Sequence, residues 1–201
     1  MRIRARHLLI FSLAPLAVLA AALIWGRQQA RPVGFAPTVS GEAPAAAALA
    51  GPVTYTVDAR SREAWVFFDF AAGTIVETSF DGAGWDIALR RTELRTNGGV
   101  TNPRGNVAVA NLGDVALETA AIPADTAFAS DQLGGDDGDQ VVNEAIPKWH
   151  RYNLLAHVVS AHEATYLIRT NAGRDVLVRF DSYYCEDGSP GCVTFRYLAV
   201  R

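Results

Sequence analysis

The stretch Trp85–Gly99, "WDIALRRTELRTNGG", decides the fold. In an extended chain successive side chains point to opposite faces, so Trp85, Ile87 and Leu89 share one face and Asp86, Ala88 and Arg90 the other. Leu94 breaks that parity, which predicts a bend, bulge or turn between Arg90 and Glu93. Asn97-Gly98-Gly99 then supplies residues that tolerate positive φ, and these end the run in a tight turn or loop. The period is that of a strand.

The same period recurs on both sides. "VTYTV" alternates Val53, Tyr55 and Val57 against two threonines, and "AWVFFDF" is apolar on both faces, as a central strand is. "AAGT" followed by "IVE" completes a hairpin with it. "EATYLIRT" and "RDVLVRFDSYY" flank a turn at Asn171–Gly173, and "CVTFRYLAV" closes the chain with Val193, Phe195 and Tyr197 on one face. Long 3.6-residue patterns are absent, apart from a possible short helix near Pro147–Leu155. The class is all-β, a mainly antiparallel sheet or sandwich over residues 53–201.

What precedes residue 53 differs in kind. "MRIRARH" is basic, and Leu8–Trp25 runs eighteen residues without a charge, enough for one transmembrane helix. Trp25 sits where an interfacial anchor belongs, and the leading arginines favour a cytoplasmic N-terminus. Retention as an anchor over residues 1–26 is the reading preferred. A cleavable signal peptide with Ala20-Ala21-Ala22 at its small-residue site is the alternative. Either places the β domain in the periplasm. Residues 27–52, with four prolines and an alanine run, read as a linker.

Composition excludes some functions. Of 201 residues half are hydrophobic and 19% charged, which suits a packed core. Five arginines fall in the first 31 residues with no acid; removing them from the net charge of −3 leaves −8 for the rest. That is a poor surface for nucleic acid. No G-x-S-x-G elbow, H-E-x-x-H helix or phosphate-cradling loop is present, so no enzyme is expected. "SDQLGGDDGDQ" gathers Asp131, Asp136, Asp137 and Asp139 among glycines but lacks the EF-hand order, and reads as a solvated acidic loop. Cys185 and Cys192 bracket a Gly-Ser-Pro-Gly turn, and in an oxidising compartment they are most simply a disulfide.

The candidate site is "KWHRYNLLAHVVSAHEATY". His150, His157 and His162 fall within thirteen residues, interleaved with Trp149 and Tyr152. Imidazoles among aromatic and aliphatic side chains suit an axially ligated haem. The competing reading is of surface or hydrogen-bonded histidines in loops. His157 is the expected metal ligand, with His150 or His162 as second ligand and Tyr152 or Trp149 lining the pocket. Leu154, Leu155, Val158 and Val159 are expected to exclude water around it.

"WDIALRRTELRTNGG", "YLIRTNAGRDVLVRFDSYY" and "GCVTFRY", in that order and spacing, resemble the HmuY family of bacterial haem-binding proteins over roughly Thr54–Val200. The resemblance implies a mostly antiparallel β fold and a haem-binding function. It makes the Trp85–Gly99 stretch a scaffold signature, its two arginines held in strand-end hydrogen bonds or ion pairs. Two functions follow as expectations. One is a membrane-anchored periplasmic haem- or tetrapyrrole-binding protein, single-pass in the inner membrane. The other is a non-catalytic accessory subunit capping the periplasmic side of an inner-membrane protein complex.

Overall fold

The computed structural model describes residues 15–25, 32–39 and 51–200. Residues 15–25 are helical, and the rest of the Leu8–Trp25 run lies outside the described residues. No helix among the described residues is long and apolar enough to cross a membrane.

Among the described residues, fourteen strands, numbered along the chain, make two main sheets and two ribbons. The larger sheet has the order β2 (Val53–Asp58), β14 (Pro190–Ala199), β13 (Asp175–Cys185), β12 (Thr165–Arg169), β7 (Ala108–Asn111), all antiparallel. β1 (Gly34–Phe35) pairs in parallel with β13 at Tyr184 and Cys185, beyond the point where β12 ends its pairing. Residues within the stretch read as linker are therefore part of the sheet. The docking is fixed by Thr38 N–H to Thr56 O at 2.9 Å, Thr56 N–H to Thr38 Oγ1 at 2.9 Å, and the Ser182 hydroxyl donating to Val33 O.

The second sheet has the order β4 (Thr74–Val76), β3 (Val66–Asp69), β5 (Ile87–Arg90), β6 (Glu93–Thr96). The β5–β6 hairpin is the parity break: the chain turns at Arg91-Thr92, with Arg91 at φ 55°. Its two arginines take the strand-end roles expected of them. Arg90 pairs with Glu93 at 2.9 Å and lies 4.5 Å over the Trp65 ring. Arg91 donates to Pro190 O at 2.9 Å, tying the second sheet to the first. Gly99 has φ +58°, and a Cβ there would meet Asp131 O at 1.9 Å, so the loop needs glycine.

The inner faces pack as a sandwich. Phe68 meets Tyr55, Phe195 and Tyr197 edge-to-face, its centroid 5.1 Å from that of Phe195. Burying each such side chain contributes about 1.5–3 kcal/mol. Alternation then sends Leu167 and Leu177 outward beneath Leu117 and Phe128, covering the other face of the larger sheet.

Trp85 departs from the simple alternation. It packs outward with Phe67, Phe80 and Ala88, while Ile87 and Leu89 enter the inner core. The cause is Asp86, which precedes β5 and turns its carboxylate to Phe70 N–H at 2.9 Å and Asn171 N–H at 2.7 Å. The bend there moves Trp85 to the opposite face.

Two further differences concern the ribbons. β10 (His150–Asn153) and β11 (Val158–Ala161) form an antiparallel hairpin where a short helix near Pro147–Leu155 is expected. The acidic stretch forms β8 (Gln132–Gly134) and β9 (Gln140–Val142), turning through Gly135 and Gly138 at positive φ. Cys185 and Cys192 are disulfide-bonded across the β13–β14 turn.

A candidate binding cleft

Trp149 sets the site. Its ring stacks on Phe180 at 5.0 Å, and its indole N–H donates to Thr92 O at 2.9 Å. The tryptophan thus pins the start of the β10–β11 hairpin to the turn between β5 and β6. Between these elements lies a cleft of about 300 Å³, walled by Glu93, Leu94 and Arg95 on one side and Val142, Ile146, Lys148, Trp149 and His150 on the other. That volume is at the lower end of small-molecule sites. The second strand of the Trp85–Gly99 stretch is therefore a wall of the cleft as well as scaffold.

His150 is half-buried, its Nδ1 sealed from solvent, and its ring makes no hydrogen bond among the described residues. Burial first, then the charges of Lys148 and His162, lower its pKa and favour the neutral imidazole. A histidine kept for structure normally spends its ring nitrogens on hydrogen bonds. This one is uncommitted, and neutral imidazole is the form that ligates metals. Lys148 is exposed at the mouth and forms no salt bridge among the described residues.

The other expected site residues separate into two places. His162 stands beside His150 at the base of the ribbon, its N–H bonded to Trp149 O at 2.9 Å, and faces a different groove with Val158, Val159 and Tyr184. That groove holds Arg179 and Arg196, already engaged by Asp114 at 3.3 Å and Asp181 at 2.8 Å. His157 lies at the ribbon tip, exposed, with its Nδ1 bonded to Tyr152 O–H at 2.7 Å. Three residue steps separate His150 from Asn153, about 10 Å of strand, and the tip lies beyond them. His150 and His157 are not brought together. Leu154 and Leu155 are 75% and 68% exposed, so they do not shield His157 from water.

Arg95, Val142, Ile146 and Lys148 escaped the sequence reading, since nothing in local spacing says that residue 95 meets residue 148. Among the described residues no group of three or more His, Cys, Asp or Glu could hold a metal ion. Of the three candidate histidines only His150 lines this cleft.

Residues 61–197 match the family described as HmuY protein. The chain belongs to the HmuY family. Solved structures share the fold across nearly their whole length. An HmuY-like haem-binding protein from Bacteroides vulgatus superposes with a TM-score of 0.57 at 21% identity, covering 83% of this chain and 97% of that one. The apo form of an HmuY analogue from Tannerella forsythia gives 0.55 at 16% identity, covering 73% and 94%. Apo PinO from Porphyromonas gingivitis gives 0.57 at 16%, covering 75% and 97%. No curated protein matches the chain.

Proposed function

We propose that this HmuY-family chain is a non-catalytic haem- or tetrapyrrole-binding protein. On this reading residues 8–25 hold it in the inner membrane as a single pass, with the β domain in the periplasm. The observation that carries the binding reading is His150, a half-buried imidazole without a hydrogen-bond partner at the edge of a part-apolar cleft. The family's name for haem binding comes to this chain through the fold and that residue together.

The residues fit the group. When bound, haem would supply an iron centre that accepts a neutral nitrogen donor. His150 holds such a nitrogen, and Trp149, locked by Phe180 and Thr92 O, fixes the strand that carries it. Leu94, Val142 and Ile146 exclude water from one side of the cleft. Lys148 at the mouth matches carboxylate substituents on the ring. His162 is the neighbouring imidazole at the ribbon base, whereas His157 and Tyr152 stand outside the cleft at the tip.

Titration of haemin into the detergent-solubilised full chain tests this. A shifted Soret band is expected for the native chain and for His157→Ala, and its loss is expected for His150→Ala. No shift in the native chain would end the haem reading and favour the accessory-subunit function. A shift kept by His150→Ala and lost by His157→Ala would move the ligand to the ribbon tip.

A further inference from the structure

The tip of the β10–β11 ribbon is used by neither the core nor the cleft. Tyr152, Leu154 and Leu155 are 50%, 75% and 68% exposed, the densest display of large apolar side chains on the folded domain. The loop that carries them is constructed. Asn153 Oδ1 accepts the Leu155 and Ala156 N–H groups at 3.0 and 3.1 Å. His157 adopts φ 54°, unfavourable for a side-chain-bearing residue, and its ring bonds Tyr152 O–H at 2.7 Å. Two leucines are held out into solvent by a closed, hydrogen-bonded turn. An exposed apolar cluster of this kind marks a contact surface.

What covers it follows from where the chain leaves the domain. Pro32 and Val33 line the same groove as Arg151, Val158 and Val159, so the N-terminal segment departs beside the ribbon. Trp25, the end of the uncharged run, is seven residues earlier, and seven residues fully extended reach about 25 Å. A domain of this length has a radius of gyration of about 15 Å and is roughly 40 Å across. A tether shorter than that width cannot carry the opposite pole to the membrane. It keeps the ribbon side there. The residue types also suit the boundary: leucines for acyl chains, an amphipathic tyrosine, and the exposed Arg151 next to it for headgroup phosphates.

We infer that the Tyr152–His157 tip is a lipid-bilayer contact which fixes the orientation of the β domain on its membrane. The inference rests on residues 8–25 being a retained anchor, and it is separable from haem binding.

The test uses the full chain reconstituted in phosphatidylcholine–phosphatidylglycerol vesicles. An environment-sensitive fluorophore is placed on Leu155→Cys and, as control, on Asp137→Cys in the β8–β9 turn; the native cysteines are in a disulfide and do not react. Emission from position 155 should shift to the blue and be quenched by spin-labelled lipid, with neither effect at position 137. Water-like emission at 155 in chain that floats with the vesicles overturns the contact and leaves the anchor intact. A blue shift that spin-labelled lipid does not quench means another protein copy covers the tip, and also overturns it. Chain that fails to float after an alkaline wash removes the anchor reading, and the contact with it.

Discussion

Trp149 donates its indole N–H to the Thr92 carbonyl at 2.9 Å, across 57 positions of sequence. This bond joins the family's fingerprint turn to the histidine ribbon, so the scaffold signature and the candidate site form one structure. Trp149→Phe keeps most of the ring's burial against Phe180 and removes the donor, stranding a part-buried carbonyl. The loss should be about 1–3 kcal/mol. Thermal unfolding should move down by several degrees, about 2–4 °C per kcal/mol for a chain of this size. An unchanged midpoint would show the bond to be dispensable.

Cys185 and Cys192 close a loop seven positions long at the end of the β13–β14 pair, where β1 also docks. Cross-linking so short a loop stabilises by about 2–3 kcal/mol through the unfolded chain. Alkylation of unreduced, unfolded protein should label neither thiol. The Cys185→Ser, Cys192→Ser double variant should unfold at lower urea; equal midpoints would place the bond outside the stability of the domain.

Local alternation carried most of the fold. The strands around Tyr55, Phe67, Ile87, Leu167 and Val193 are legible as period-two alternation or as short apolar runs buried on both faces, and the Leu94 parity break marks a real turn. The failures are equally physical. Trp85 changes face because Asp86 spends its carboxylate on two amides that are distant in sequence. Within Pro147–Leu155 the strand β10 (His150–Asn153) forms instead of a helix because Trp149 is captured by Phe180 and Thr92, contacts that no helical or strand period records. The histidine cluster was visible, but not its division: sequence proximity suggested one site, and an antiparallel ribbon spreads three imidazoles from base to tip.

Asp86 makes the domain's stability pH-dependent in an unusual direction. Burial outweighs the amide bonds from Asn171 and Phe70 and raises its pKa from 3.8 to about 6, with Asp69 adding to the shift and Arg174 opposing it. Between those two values the folded chain holds more protons than the unfolded chain, so stability falls as pH rises through the window. Two pKa units correspond to about 3 kcal/mol. Asp58, Asp81 and Asp187 have lowered pKa values and act in the opposite sense, but below the unfolded carboxylate range. Urea midpoints of the native chain should therefore decline from about pH 4 to about pH 7 relative to those of Asp86→Asn, which cannot titrate. Parallel pH profiles for the two proteins would remove Asp86 as the source.

Asp131 is the first acid of a stretch that looks like a solvated loop. Asp136, Asp137 and Asp139 are exposed, as that reading expects, but Asp131 is 4% exposed. Its carboxylate accepts the Thr96 N–H at 2.9 Å, the Thr96 hydroxyl at 2.7 Å, the Thr101 hydroxyl at 2.6 Å and the Asn143 amide at 3.1 Å. Thr96 ends β6, and Asn143 follows β9, so this one carboxylate holds together the two walls of the cleft that His150 faces. Asp131→Ala leaves four donors around an empty space, and the loss of a buried charged acceptor of this kind costs about 3 kcal/mol or more. Asp131→Asn keeps one oxygen for Thr96 N–H but turns an amide donor toward other donors, so it should recover only part of the stability. Asp137→Ala, at the exposed end of the same stretch, should stay within about 0.5 kcal/mol of the native chain. Equal urea midpoints for Asp131→Ala and Asp137→Ala would return Asp131 to the solvated loop, and the cleft would then need another brace between β6 and the segment that leads to His150.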